Sequence, residues 1–212
     1  MAGNADPGVY STAVRPGLRT RLADPLARRA RRRRRALYLE LARPQPQETV
    51  ADIGCGSMGL ITLDVPGQIT GVDRAARPGY AGEGFVQAEA QQLPFGDDDF
   101  DIVYSNSLIE HLPPDDRARA AAEMARVGRR LFVQTPNRWF PIEPHALLPL
   151  VHWLPRALGR RLWPLGVTGD SFDEIRLLTA RELRGLFPGA RIARERVGPL
   201  TKSLIAYIPP AE

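Results

Sequence analysis

The stretch TVADIGCGSMG, residues 49–59, runs from a short apolar segment straight into a glycine-rich turn. Its first residues read as a β-strand, and the residues from about Ser57 as the start of a helix. Glycine is needed between them because the backbone must turn tightly and leave room for a ligand where a Cβ would stand. Gly54, Gly56 and Gly59 fit the spacing GxGxxG, and Asp73 follows about twenty residues on, at the end of a second predicted strand, which is the pattern of a dinucleotide turn. Asp52 pulls the other way. A carboxylate two residues before the first glycine would crowd an anionic pyrophosphate but would suit a ligand amino group.

On either side of this turn the chain keeps an alternating rhythm. TVADIG, QITGVD, FVQAE, FDIVYSN and RRLFVQTP read as strands, with a helix from about Pro114 to Val127 before the last of them. Short apolar strands in such an alternation predict a mainly parallel sheet covered on both faces. Upstream, residues 24–43 form a predicted helix with Leu26, Leu37, Leu39 and Leu41 on a partial apolar face, stopping before Pro44. Residues 1–23, rich in Gly, Pro and small polar types, are expected to be a mobile segment or a cover over a site. Beyond Pro136 the rhythm breaks. Residues 139–167 are rich in Pro, Leu and Trp, and a further helix opens at Thr179 with Glu182 three residues on, a capping box. RIARERVG and KSLIAYIP, separated only by Pro199 and its neighbours, should form an antiparallel pair at the sheet edge. Residues 24–212 read as a single domain.

Composition narrows the function classes. Cys55 is the single cysteine, so neither an internal disulfide nor a cysteine cluster for zinc can form, and a reducing, cytoplasmic setting is expected. The amino-terminal residues have no signal-type apolar core, and no run of about 18 apolar residues occurs, which argues against secretion and against a spanning helix. The net charge of +5 is unevenly placed: residues 15–43 hold eleven arginines against Asp24 and Glu40, which is +9 and leaves the rest near −4. A high isoelectric point therefore describes the first helix and not the site.

Taken in order and spacing over residues 48–135, VADIGCGSMG, GVDR, FVQAEAQQLPF and FDIVYSNSLIEHL resemble the successive motifs of class I S-adenosylmethionine-dependent methyltransferases, especially the branch called methyltransferase type 11. The resemblance implies a Rossmann-like α/β fold: a doubly wound, mainly parallel seven-stranded sheet with an antiparallel edge hairpin. It also implies a cofactor-binding half over residues 48–136 and a substrate lid over 139–167. Asp52, Gly54 and Gly56 would line the methionine end of S-adenosylmethionine, with Cys55 between the glycines. Asp73, followed by Arg74, would hold the ribose, Glu89 and Ala90 would meet the adenine, and Asn106 would sit beside the sulfonium. Met58 stands where the family carries its third glycine, with Gly59 one place later, and Glu89 replaces the commoner Asp.

Methyl transfer from a sulfonium needs no metal, but an acceptor hydroxyl must lose its proton. His111, in SLIEHL, and His145, in QTPNRWFPIEPH, are the candidate bases, with Glu143 two residues before His145. Packing or capping is an equal reading for Glu110 and His111. Tyr10 and Tyr38 are candidates to close the cofactor from the amino-terminal side. The expected acceptor is a small molecule, a sugar or a lipid-linked intermediate, methylated on oxygen. The arginine run, Arg28, Arg29 and Arg31 to Arg35, reads first as a solvated helix face and second as a contact for an anionic membrane or acidic substrate. Nucleic acid is disfavoured, because no aromatics interleave with the arginines. Two other readings stay open: a nicotinamide oxidoreductase, and a basic nucleic-acid-binding protein on a methyltransferase fold.

Overall fold

The computed structural model describes residues 18–56, 59–77, 79–168 and 170–210, with backbone alone for residues 18–24, 26 and 27. Tyr10, Ser57, Met58 and most of the segment expected to be mobile lie outside the described residues.

Seven strands form one sheet: β1 (Thr49–Ile53), β2 (Gln68–Asp73), β3 (Gly84–Gln87), β4 (Phe100–Asn106), β5 (Gly128–Pro136), β8 (Arg191–Val197) and β9 (Leu200–Ile208). Their order is β3-β2-β1-β4-β5-β9-β8, with the pairs from β3 to β5 parallel and β9 antiparallel to both of its neighbours. The predicted seven-stranded, mainly parallel sheet with an antiparallel edge pair is therefore present. Two further strands, β6 (Ile142–Glu143) and β7 (Leu148–Pro149), make a separate antiparallel pair beside it.

Alternation along the strands decides which helix covers which face, since successive side chains point to opposite sides. Ala51 and Ile53 of β1, Val103 of β4 and Leu131 and Val133 of β5 bury against α2 (Pro114–Val127) and α4 (Ala180–Leu186), through Ala120, Ala121, Met124, Leu183 and Phe187. Val50, Ile102 and Phe132 face the other side, where Leu37, Tyr38 and Ala42 of α1 (Leu18–Ala42) pack. Tyr38 is fully buried there and meets Tyr104 and Phe132 edge-on, each at 5.3 Å between ring centres. Such pairs contribute about 0.5–1.5 kcal/mol beyond the area they bury. Tyr38 is thus a core residue and does not close a cofactor.

Two expectations need correction. Asp24-Pro25 resembles a helix start, because proline is favoured in a first turn, yet α1 begins at Leu18 and carries Pro25 inside it. The helix expected near Ser57 is also absent from the described part of that connection, which holds one 3-10 turn, Leu60–Leu63. Asp64 takes a left-handed conformation (φ 50°) immediately after that turn, and Pro66-Gly67 leads into β2, so the helix stops after a single turn. Leu60 and Leu63, three apart, still reach the core beside Leu37 and Tyr38. α1 supplies the cover that a crossover helix would otherwise give.

The arginine run is partly structural. Arg34 donates to Gln134 Oε1 (3.2 Å), and Arg35 to the carbonyls of Leu63 and Asp64. Arg29, Arg32 and Arg33 are exposed. No helix among the described residues is long and apolar enough to cross a membrane.

Candidate functional site

At the carboxyl end of β1 the turn is fixed by backbone hydrogen bonds. Gly54 N–H and Cys55 N–H both donate to the Val72 carbonyl of β2, at 2.7 and 3.2 Å. Gly54 (φ 74°) and Gly56 (φ 58°) lie in the left-handed region that side chains avoid. Leu108 occupies the space a Cβ on Gly54 would need, at 2.9 Å, whereas among the described residues a Cβ on Gly56 would meet nothing within 4 Å. Among the described residues, the surface over Gly56 is therefore an open cradle of bare backbone.

Asp73 at the end of β2 closes this cradle. Its carboxylate accepts from Gly56 N–H (3.0 Å) and Ala75 N–H (2.9 Å), and Arg77 approaches at 3.3 Å. A carboxylate offers about four acceptor positions, so room remains for a hydroxyl, more so if the partly exposed Arg77 swings out. Ala88 N–H donates to the Asp73 carbonyl (3.1 Å), which brings the exposed Glu89 and the buried Ala90 alongside. Asn106, the last residue of β4, carries a buried Oδ1 with no hydrogen-bond partner among the described residues, an acceptor left for a ligand. Arg74 is exposed, and only its carbonyl is engaged, by Gln87.

Asp52 has a different place from the one its position suggests. It is 1% exposed, and Oδ2 accepts from Leu60 N–H at 2.5 Å and from the Tyr80 hydroxyl at 3.4 Å. A Cβ on Gly59 would stand 2.0 Å from the same oxygen, which is why glycine is required one place later than the family pattern puts it. Burial pushes the Asp52 carboxyl up to about 7. The Cys55 thiol is buried and pushed up to about 12 by desolvation and by the charges of Asp52 and Asp73, so it is no nucleophile.

After β4 and β5 the chain builds a second, side-chain cluster. His145 Nδ1 lies 2.7 Å from Glu143 Oε1, and the other Glu143 oxygen accepts from Ala146 N–H at 2.6 Å. With Glu143 ionised, this arrangement places the imidazole proton on Nδ1 and leaves Nε2 facing Glu110 Oε1 at 3.7 Å. Glu110 is fully buried; one oxygen accepts from Thr135 (2.9 Å) and the other has no hydrogen-bond partner among the described residues. His111 packs edge-on against His145, 4.9 Å between ring centres. Burial opposes a charged His145, but the Glu143 hydrogen bond and the charges of Glu143, Glu110 and Asp170 outweigh it and hold the imidazole above its ordinary pKa. His111 is lowered by burial, reinforced by His145 and opposed chiefly by Glu110. Glu110, His111 and His145 also bring ligand-type atoms within 4.8 Å of one another, a set with the chemistry to hold a cation. The structure thus brings His111, Glu143 and His145 together, and adds Glu110 and Thr135. Thr135 carries no sequence signal, since it reads simply as part of a strand.

The segment expected as a lid has its own small core of Ala146, Val151 and Trp163, and includes α3 (Arg156–Leu162). The Arg138 carbonyl just before it accepts from His152 Nε2 (2.9 Å) and Trp153 Nε1 (2.7 Å), and Trp163 Nε1 donates to the Asp170 carbonyl beyond it (2.7 Å). Trp139 is 63% exposed and Trp153 44%.

A sheet of this order, with a glycine cradle tied to an acid at the end of the next strand, defines a Rossmann-like nucleotide-cofactor fold. Residues 51–130 match the methyltransferase domain family, and over that stretch the chain is similar to the class I, S-adenosylmethionine-dependent type. That replaces the nicotinamide reading. The ubiquinone biosynthesis O-methyltransferase of Aeromonas salmonicida is 30% identical over 149 residues, covering 63% of this chain and 58% of that protein, so the chain spans under two thirds of the relative's length. Among solved structures, a Pyrococcus horikoshii protein aligns at 17% identity with a TM-score of 0.61, covering 96% of this chain and 97% of the other. The magnesium protoporphyrin IX methyltransferase of Synechocystis, solved with S-adenosylhomocysteine bound, aligns at 14% identity and a TM-score of 0.59, over 94% of this chain and 90% of that one. These two likenesses concern the fold.

Proposed function

We propose that the protein is an enzyme that transfers the methyl group of S-adenosylmethionine to an oxygen of a small-molecule, sugar or lipid-linked acceptor. The observation that carries this reading is the open cradle over Gly56 with its N–H held by Asp73, which joins the place for a thioether chain to the place for a ribose. Bound S-adenosylmethionine would supply an activated methyl on an already good leaving group, so positioning provides much of the acceleration. Gly54 and Gly56 let it approach the backbone, Asp73 accepts from its ribose hydroxyls, Glu89 and Ala90 meet the adenine, and Asn106 Oδ1 takes a donor near the methyl end. Asp52 acts as a positioning residue, holding the turn through Leu60 N–H.

His145 is the base. Its Nδ1–H stays with Glu143, its Nε2 accepts the proton of the acceptor hydroxyl, and Glu143 stabilises the imidazolium so formed, the division of labour of a carboxylate–histidine pair. The name of the Aeromonas relative, an O-methyltransferase, favours oxygen as the target atom. The exposed Arg29, Arg32 and Arg33 of α1 and the exposed Trp139 and Trp153 favour peripheral contact with an anionic membrane, in a reducing compartment that suits a lone buried cysteine.

A calorimetric titration with S-adenosylhomocysteine, with NAD in parallel, tests the cofactor assignment. Micromolar binding of the thioether alone is expected, and binding of neither would sink the reading.

A further inference from the structure

Beside the His145 cluster lies a cavity of about 500 Å³ between α2, α4 and the lid, within the range that small ligands fill. Four guanidinium groups line it, those of Arg117, Arg138, Arg156 and Arg176, together with Trp153 and Phe172. Two acids line it as well. Asp173 pairs with Arg156, one of the four, and with Arg160 (2.7 Å), and Glu182 is held by the α4 cap, where it accepts from Thr179 N–H and from its hydroxyl, both at 2.7 Å.

Arg117 is the telling residue. It is 9% exposed, it donates to the carbonyls of Leu112 (3.0 Å), Glu110 (3.1 Å) and Arg176 (2.8 Å), and among the described residues no carboxylate lies within ion-pair distance of it. Buried charges ordinarily have a counter-charge, because carbonyl dipoles alone replace hydration poorly. Arg138 and Arg176, both exposed at the mouth, likewise have no ion pair among the described residues. The cavity therefore has an excess of cationic groups, one of them deeply buried. It is also wired to the proposed base: the Glu110 carbonyl accepts from both Arg117 and Arg176 N–H (2.9 Å), while the Glu110 carboxylate faces His145.

We propose that this cavity binds an anionic group, a carboxylate or phosphate, carried by the acceptor, with Trp153 and Phe172 along the acceptor's apolar part. Arginine suits this because its planar fork grips both anions with paired hydrogen bonds. The anion site stands on the cavity itself; its role as an acceptor subsite rests on the methyl-transfer reading above.

The test titrates the full chain at low salt with inorganic pyrophosphate in one arm and benzoate in the other, and with S-adenosylhomocysteine as control. Saturable binding is expected in at least one arm, and that arm tells phosphate from carboxylate. The double variant Arg138→Ala/Arg176→Ala should weaken it at least tenfold and leave the S-adenosylhomocysteine affinity within twofold, which also certifies the fold. Arg32→Ala/Arg33→Ala on α1 should change neither. No saturable anion binding, full binding in the cavity variant, or loss only in the α1 variant would overturn the proposal. Cavity-dependent anion binding without S-adenosylhomocysteine binding would leave an anion site and remove its role in methyl transfer.

Discussion

After β1 the chain lays bare backbone over Gly56, and after β5 it gathers side chains. The first arrangement depends on what is missing: no Cβ over Gly56, and Asp52 turned inward to hold Leu60 N–H. The second depends on groups gathered from far apart, with Glu110, Thr135, Glu143 and His145 drawn from four elements or the loops beside them. A backbone cradle fits one cofactor whatever the acceptor, while a side-chain cluster can be altered residue by residue to suit different acceptors.

Substitutions can break that contrast. The largest effect is expected from His145→Ala, which should lower turnover roughly 100- to 10,000-fold as the general base is lost, with S-adenosylhomocysteine affinity unchanged by calorimetry. In the parent enzyme kcat/KM should climb with pH, because His145 must be neutral to accept a proton. The step should lie above the ordinary histidine value of about 6.5, since burial, which lowers it, is outweighed by Glu143, Glu110 and Asp170. Glu143→Gln should move the step to lower pH, and an unmoved step would remove Glu143 from the pair.

Asp73→Ala should weaken S-adenosylhomocysteine binding by about 2–3 kcal/mol, roughly 30- to 150-fold, with the fold retained, as charge-assisted hydrogen bonds are lost and no core volume is. Unchanged affinity would end the ribose assignment. Gly59→Ala and Gly56→Ala separate the inner and outer faces of the turn. The first drives a methyl group onto Asp52 and should cost about 2–4 kcal/mol in denaturant unfolding, whereas the second should cost about 1–2 kcal/mol and act mainly on cofactor affinity. The smallest effect is expected from EDTA, which should leave turnover unchanged if Glu110, His111 and His145 move a proton rather than hold a cation.

The parallel half of the sheet and the turn after β1 were legible because their signals are local. Strand periodicity, glycine spacing and a strand-end acid are each fixed by a few consecutive residues, and the two-strand edge follows from two short apolar runs joined by a turn. The inward orientation of Asp52 was not legible, since its partners, Leu60 N–H and Tyr80, depend on how the turn closes. Nor was the shortened β1–β2 crossover, because LITLDVPG carries helical spacing at Leu60 and Leu63, and the left-handed Asp64 that ends the turn before Pro66-Gly67 has no signal of its own. The pairing of His145 with Glu143 could be read from the two ends of a three-residue stretch, Glu143-Pro144-His145. Its opposition to Glu110, and the gathering of Arg117, Arg138 and Arg176, belong to tertiary structure and leave no periodic trace.

The use of α1 as the cover for one whole face has a consequence for the order of assembly. Leu37 and Tyr38 pack with Phe132 and Ile205, so the helix meets a strand that lies far along the chain from it. Contacts of such long separation form late, because the loop between them must close first. Until β9 arrives, the leucine and tyrosine stripe has no place to go. Arg28, Arg29 and Arg31 to Arg35 lie directly before that stripe, and like charges repel one waiting chain from the next, so the arginine run also acts as a gatekeeper against aggregation during synthesis.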